Sequence, residues 1–289
     1  MKWVVDSTGR FPFRPYYERA ELDNECEKLV VSFLRQRHGE SSFPISTDDL
    51  TVMIEQDTSA LDLYADLSAE GLDVEGLTDF FPYKKPVVKI SREVSLDEEK
   101  PERLRTTLAH EYGHVKFHTF LWDIGYEKKP AVDMGKKIAA QRRKIECLRA
   151  KFANKSSFEK GHQPSPVFST DRFFINTDSE TGPRCNLSTE ADSPGSDWME
   201  WQAGYISGAI LMPLAVLRNL VRSSLGKWNI SDWLFADSEY AGELVKRVVG
   251  AFDVSAEGAR VRLLQLGFLQ QIQSEEAPRP ETALSHLSG

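Results

Sequence analysis

Apolar residues at helical spacing predict two helices in the first 60 residues. In residues 21–37, ELDNECEKLVVSFLRQR, apolar side chains recur every three or four positions, and Gly39 follows as a stop signal. Residues 45–56 repeat the pattern, with Ser46 or Thr47 placed to cap the first turn. The N-terminal part of the chain is therefore expected to contain a pair of amphipathic helices.

Alternating apolar and polar residues predict two strands, followed by a long helix. The strands are expected at 60–68, ALDLYADLS, and at 86–94, PVVKISREV. Ser95 and Glu98 have the spacing of a capping box, which predicts a helix running from about residue 99 to 120. Strands and helices together indicate the α+β class.

The C-terminal third is predicted to be helical. Apolar spacing places helices at 198–213, 214–224 and 238–250. Pro213 ends the first of them, and residues 243–267 resemble two helices joined by a tight turn at 252–254. The second helix of this helix-turn-helix-like pair is apolar apart from Arg260 and Arg262. We therefore expect it to pack on the protein rather than read a DNA groove.

Residues 121–197 differ in amino-acid composition from the rest of the chain. Between positions 123 and 172 there are 12 Lys/Arg against 6 Asp/Glu. Residues 134–153 predict a basic amphipathic helix, and the following Ser-, Pro- and Gly-rich stretch up to 197 predicts loop. The polar tail 274–289 is expected to be disordered.

Composition narrows the class of protein. The 289 residues carry a net charge of -8 and three cysteines, and they contain no apolar run of 18 residues. The N-terminus turns polar after a few residues, unlike a signal peptide. Sparse cysteines in an odd number are typical of a reducing compartment, so we expect a cytoplasmic protein without disulfides or membrane spans.

The sequence His110-Glu111-Tyr112-Gly113-His114 has the HExxH spacing of a zinc site. Residues four apart lie on one helix face, so His110 and His114 can bind one Zn²⁺. Glu111 is rotated about 100° from His110, which suits a general base better than a ligand. The pattern predicts a catalytic zinc centre.

A third protein ligand is needed, and spacing alone does not choose it. His118 continues the four-residue series, but each step overshoots the helical turn by about 40°, so three in a row drift off one point. The metzincin pattern is absent, because residues 117 and 120 are both Phe. Glu200 on a second helix is the candidate, with Ala203 allowing close helix packing; the alternative is a solvated surface carboxylate.

Two segments carry a family resemblance. LRTTLAHEYGH, followed by EWQAGYISGAILMP, resembles the ImmA/IrrE family of zinc metallopeptidases, and SAEGARVRLLQLGFL is similar to a C-terminal segment of that family. The resemblance implies a zincin-like fold, His110, His114 and Glu200 as Zn²⁺ ligands, and Glu111 as catalytic acid/base. It also implies cleavage of a helix-turn-helix repressor in a DNA-damage, mobile-element or defence response.

The resemblance also organises the chain into parts. A zincin-like metallopeptidase domain would span 1–215 with the basic, loop-rich insertion 121–197, and a helical C-terminal segment would span 216–273. The sequence departs from the family pattern at Tyr205-Ile206-Ser207. It also places 90 positions between His110 and Glu200, more than a compact member needs.

The insertion suggests two regulatory hypotheses. Cys185, in GPRC, could bind the open zinc position as a latch; the alternative is an ordinary reduced thiol. A row of basic residues could contact single-stranded DNA as an activator, and the alternative is a solvated helix face. These basic residues are Lys136, Lys137, Arg142, Arg143 and Lys144.

Two other functions stay open at this point. One is a DNA-binding regulator with a structural zinc, which needs four protein ligands. The other is an interaction module that binds a partner without cutting it.

Tyr112, Tyr205 and His118 are the candidates to stabilise an oxyanion if the protein is an enzyme.

Overall fold

The computed structural model describes residues 1–71, 74–126, 172–176, 197–230 and 232–271. The predicted basic helix 134–153 and the tail 274–289 lie outside these ranges. Everything below concerns the described residues.

The described residues form a mixed α+β structure. Its helices are α1 (Arg19–His38), α2 (Thr47–Asp57), α3 (Arg92–Ser95), α4 (Pro101–His118), α5 (Phe120–Tyr126), α6 (Trp198–Leu211), α7 (Leu214–Lys227), α8 (Glu239–Phe252) and α9 (Ala256–Gln265). Its strands are β1 (Lys2–Val5), β2 (Phe13–Tyr16), β3 (Ala60–Ala65), β4 (Val74–Phe81), β5 (Lys84–Ser91), β6 (Arg172–Asn176), β7 (Leu234–Phe235) and β8 (Leu269–Gln270).

A four-stranded sheet with the order β3-β5-β4-β6 lies beside α4. β5 runs parallel to β3 and antiparallel to β4, and β6 pairs antiparallel with the far side of β4. β1 and β2 form a separate antiparallel hairpin, and β7 pairs in parallel with β8. The sheet brings β4 against the helix that carries the HExxH motif.

The helices near the N-terminus agree with the prediction. Gly39 follows α1 with a φ of 82°, the left-handed conformation that glycine adopts without steric cost. Of the two capping candidates for α2, Ser46 is the N-cap and its side chain accepts a hydrogen bond from the Asp49 amide. The predicted C-terminal helices are present as α6 to α9.

The predicted capping box before the HExxH helix is wrong. Ser95 ends the short helix α3, and α4 begins only at Pro101, with no side-chain cap at Lys100. Proline disfavours helical geometry in the residue before it but suits the first helical position. Pro101 therefore sets the start of α4.

The sequence analysis did not identify β4 or β6 as a strand. β4, VEGLTDFF, is buried at nearly every position, so its residues do not alternate, and Glu75 and Asp79 interrupt its apolar pattern. The loop predicted up to residue 197 is wrong at Arg172–Asn176, because this segment forms β6 on the edge of β4.

The main hydrophobic core lies between α4, α6, the sheet and the C-terminal helices. α4 and α6 approach closely at Gly113, where an added Cβ would lie 3.3 Å from the Cα of Ala203 and 3.1 Å from the side chain of Ile206. Small residues on both helices thus allow the close contact that was expected of Ala203.

The C-terminal helices share this core. Leu263 of α9 and Val248 of α8 are fully buried, and Arg262 of α9 is 1% exposed. The expectation that α9 packs on the protein is confirmed.

Among the described residues, no single helix is both long and apolar enough to cross a membrane. The pair α6 and α7, which is bent by 63°, meets the length and composition criteria for a membrane span only when the two helices are taken together.

Candidate metal centre

Two helices bring three potential metal ligands together. His110 and His114 lie on one face of α4, and Glu200 lies in the first turn of α6, which begins at the N-cap Asp197. The donor atoms of these three residues all lie within 4.8 Å of one another. Residues 90 positions apart in the chain therefore meet at one point.

The distances suit a tetrahedral metal ion. The Nε2 atoms of His110 and His114 are 3.0 Å apart. Glu200 places Oε2 3.1 Å from His110 Nε2 and Oε1 3.3 Å from His114 Nε2. Zinc bonds of about 2.0–2.1 Å in a tetrahedron separate the donors by about 3.3 Å. The two imidazole nitrogens and the Glu200 carboxylate thus already lie near the spacing that one Zn²⁺ requires.

Charge supports the same interpretation. Although burial alone would raise the pKa of Glu200, the adjacent imidazoles of His114 and His110 lower it well below its usual value. Glu200 Oε1 is buried 3.3 Å from His114 Nε2, without a hydrogen bond of regular geometry. A buried anionic carboxylate beside two imidazoles fits a cation such as zinc.

Glu111 is fully buried beside this cluster. Its Oε2 accepts a short hydrogen bond from the hydroxyl of Thr78 on β4, and its Oε1 has no hydrogen-bond partner in the described part of the chain. Burial raises the pKa of Glu111 to about 7. A carboxylate held by one oxygen, with the other unused, can exchange a proton near neutral pH.

β4 leaves room for Glu111 at Gly76. A Cβ at this position would lie 2.5 Å from Glu111 Oε1, closer than real atoms approach. Neither Gly76 nor Thr78 belongs to a recognisable motif, so the sequence did not point to them. Their position in β4, opposite the HExxH helix, makes them part of the site.

Replacing Gly76 should disturb Glu111 and leave His110, His114 and Glu200 in place. For the zinc peptidase that the sequence predicts, we expect Gly76→Ala to keep zinc but to lower cleavage of an unfolded protein such as casein by about 10–100-fold, since misplacing a catalytic group by about 1 Å has effects of that size. Zinc content and cleavage rate are the measurements. Gly226→Ala is the control, because an added Cβ there meets nothing within 4 Å. Full activity of Gly76→Ala would contradict this role of β4.

His118 does not join the ligand cluster. Its Nδ1 lies 3.1 Å from His114 Nδ1, on the side of that ring away from Glu200. Burial and the neighbouring His114 lower the pKa of His118 well below its usual value. As the helical drift predicted, His118 lies outside the group formed by His110, His114 and Glu200.

The tyrosines weighed as oxyanion stabilisers have other partners. Tyr112 directs its hydroxyl to Asp57 at 3.4 Å. The hydroxyl of Tyr205 donates to Asp23 at 2.9 Å, deep in the core. Both hydrogen bonds direct the tyrosine hydroxyls to carboxylates outside the ligand cluster.

The residues named in the two regulatory hypotheses lie outside the described ranges. These residues are Cys185, Lys136, Lys137, Arg142, Arg143 and Lys144. The latch and the single-stranded DNA contact therefore stay hypotheses.

Two comparisons with known proteins found no relative of this chain. No model of a known protein family matches the chain, and no curated protein matches it. The resemblance to the ImmA/IrrE family rests on the motifs in the sequence.

Proposed function

We propose that this protein is a zinc-dependent endopeptidase of the ImmA/IrrE type. His110, His114 and Glu200 hold the metal, and Glu111 is the general acid/base. One observation carries the proposal: three donor atoms from two helices converge at metal-binding distances beside a buried carboxylate with a free oxygen. A zincin-like arrangement of α4, α6 and the sheet is part of this proposal.

The donor set favours zinc in a catalytic role. Two imidazoles and one carboxylate are a common set of protein ligands in zinc hydrolases, and they leave a fourth position for a non-protein ligand. Bound zinc would lower the pKa of a water molecule and polarise the carbonyl group of a peptide.

Glu111 supplies the proton transfers. Thr78 donates to Oε2 and so orients the carboxylate, which leaves Oε1 to take a proton from the attacking water. With a pKa near 7, the protonated carboxyl can then give that proton to the departing amine. One carboxylate therefore serves both halves of peptide hydrolysis.

The proposed substrate is a helix-turn-helix repressor, cleaved in a DNA-damage, mobile-element or defence response. The family resemblance supports this choice. The net charge of -8 also favours encounter with a basic DNA-binding domain.

The two rival functions have less support. A regulator with a structural zinc needs four protein ligands, and the described residues bring together three. Its reading helix would need free basic residues, but of the two arginines of α9 Arg262 is buried and Arg260 donates to the carbonyl of Ala236. A non-cleaving interaction module has no use for Glu111, whose burial with an unpaired oxygen costs free energy.

Removal of the third ligand tests the metal site. We expect the purified wild type to hold one equivalent of zinc. Glu200→Ala should bind zinc more than about 100-fold more weakly, a larger loss than is usual for a residue that contacts a metal ligand but not the metal. Metal analysis and competition with a chromophoric chelator measure this. Glu55→Ala, an exposed glutamate on α2, is the control. A wild type without zinc, or unchanged affinity in Glu200→Ala, would overturn the proposed site.

A further inference from the structure

A line of hydrogen bonds leads from His114 to the N-terminal hairpin. His114 Nδ1 lies 3.1 Å from His118 Nδ1, and His118 Nε2 lies 3.1 Å from Gln202 Oε1. Gln202 Nε2 then donates to the carbonyl oxygen of Pro15 at 3.2 Å. The three side chains are at most 1% exposed. Groups from α4, α6 and β2 thus meet behind the metal-binding imidazole.

The carbonyl of Pro15 sets the direction of these bonds. A carbonyl oxygen only accepts, so it must face the NH₂ group of the Gln202 amide. The amide oxygen of Gln202 therefore faces His118. Since that oxygen also only accepts, His118 carries a proton on Nε2 and donates it.

His118 carries no second proton. A charged imidazolium without exposure to water needs an anionic partner, but its ring nitrogens contact a carboxamide and an imidazole. The neutral ring has a lone pair on Nδ1, which must accept from His114 Nδ1. His114 therefore carries a proton on Nδ1, and its other nitrogen, Nε2, lies 3.0 Å from His110 Nε2 and faces Glu200.

We propose that His118 and Gln202 are positioning residues: with the Pro15 carbonyl as their anchor, they hold a proton on His114 Nδ1 and so leave Nε2 as the nitrogen that can bind a metal. The position of this proton follows from the protein alone. Its role in metal binding rests on the proposed function, because it matters to a metal only if the metal binds at Nε2.

The N-terminal hairpin thereby becomes part of the metal centre. Pro15 pairs with Trp3 across the hairpin. Trp198, at the start of α6, packs edge-on against His118 with ring centroids 5.5 Å apart, and its indole donates to Asp6 at 3.1 Å. The hairpin therefore holds both the anchor carbonyl and the ring that packs against His118.

The tautomer can be measured without any metal. Nitrogen-15 NMR of the metal-free wild type should show His114 with a protonated Nδ1, and His118 with a protonated Nε2 and a bare Nδ1. The reverse assignment for either ring would overturn the inference, whatever the protein does with zinc.

Gln202 variants test the consequence for zinc. Gln202→Met fills the same space but offers His118 only a weak sulfur acceptor. We therefore expect about 10–100-fold weaker zinc binding, the usual range for residues that contact a metal ligand but not the metal. Gln202→Glu still offers His118 an acceptor, although it loses the hydrogen bond to Pro15, and should bind zinc more tightly than Gln202→Met does. A residue that only filled space would tolerate Met at least as well as Glu.

Ser207→Ala is the matched control, because Ser207 donates across the same helix interface to the carbonyl of Thr106 and does not touch the ligands. It should bind zinc like the wild type. If Gln202→Met also does so, or if Ser207→Ala weakens binding equally, the positioning role is wrong. A wild type that binds no zinc would instead refute the proposed function, and the NMR result would still decide the tautomer.

Discussion

Glu111→Gln should retain zinc and lose cleavage by at least about 100-fold, the low end for loss of a general base. Glutamine has nearly the same shape, and its amide oxygen can still accept from the Thr78 hydroxyl. It cannot take a proton from water at neutral pH, however. Since Glu111 is not one of the proposed metal ligands, the zinc content should stay at one equivalent while the cleavage rate falls.

The Glu111→Gln result is informative because zinc and cleavage are separable. Glu200→Ala should lose both, whereas Glu111→Gln should lose only cleavage. Thr78→Val serves as an intermediate case, since it removes the hydrogen bond that orients Glu111. Cleavage at the wild-type rate in Glu111→Gln would exclude Glu111 as the acid/base.

Arg262→Met should destabilise the protein by about 3–5 kcal/mol, the range for breaking a buried ion pair from one side. Arg262 donates to Asp23 of α1 at 2.5 Å, and the two side chains are 1% and 4% exposed. Tyr205 of α6 donates to the other oxygen of that carboxylate. Without Arg262, a buried negative charge would remain with one neutral partner. Chemical denaturation measures the loss.

A neighbouring arginine supplies the control for this prediction. Arg260 donates to the carbonyl of Ala236 from a side chain that is 37% exposed, so Arg260→Met should change stability by less than about 1 kcal/mol. Asp23→Leu combined with Arg262→Met should recover part of the loss, because no charge remains buried. Equal effects of the two arginine variants would show that the Asp23 pair does not hold α9 to the core.

Local signals explain why much of the fold could be predicted. The capping serine of α2, Gly39 after α1 and Pro213 after α6 act within one helical turn, and the structure has each of them at a helix end. The i, i+4 spacing of His110 and His114 is equally local. Such features depend little on the rest of the chain.

Tertiary structure explains what the sequence could not reveal. β4 is buried on both faces, so its side chains lack the alternation that identifies a strand, and its acidic Glu75 is paired with Arg103. The start of α4 depends on Pro101, although the Ser95 and Glu98 pair has the spacing of a capping box. β6 forms because a distant segment pairs with the edge of β4.

The residues of the candidate site also fall into those that the local sequence reveals and those that depend on tertiary structure. His110, Glu111 and His114 were evident from one motif, and Glu200 required the family resemblance as well. Gln202 was not singled out, because its role depends on the carbonyl of Pro15, 187 positions away. A partner that is a backbone atom on another element leaves no pattern in the sequence.

The most direct test of the central claim is a proteome-wide search for new protein termini after DNA damage, in cells that produce either the wild type or Glu111→Gln. A zinc endopeptidase that uses Glu111 predicts a terminus within a helix-turn-helix repressor that appears only with the wild type. Identical sets of termini in both cells, with the wild-type protein fully loaded with zinc, would contradict the claim.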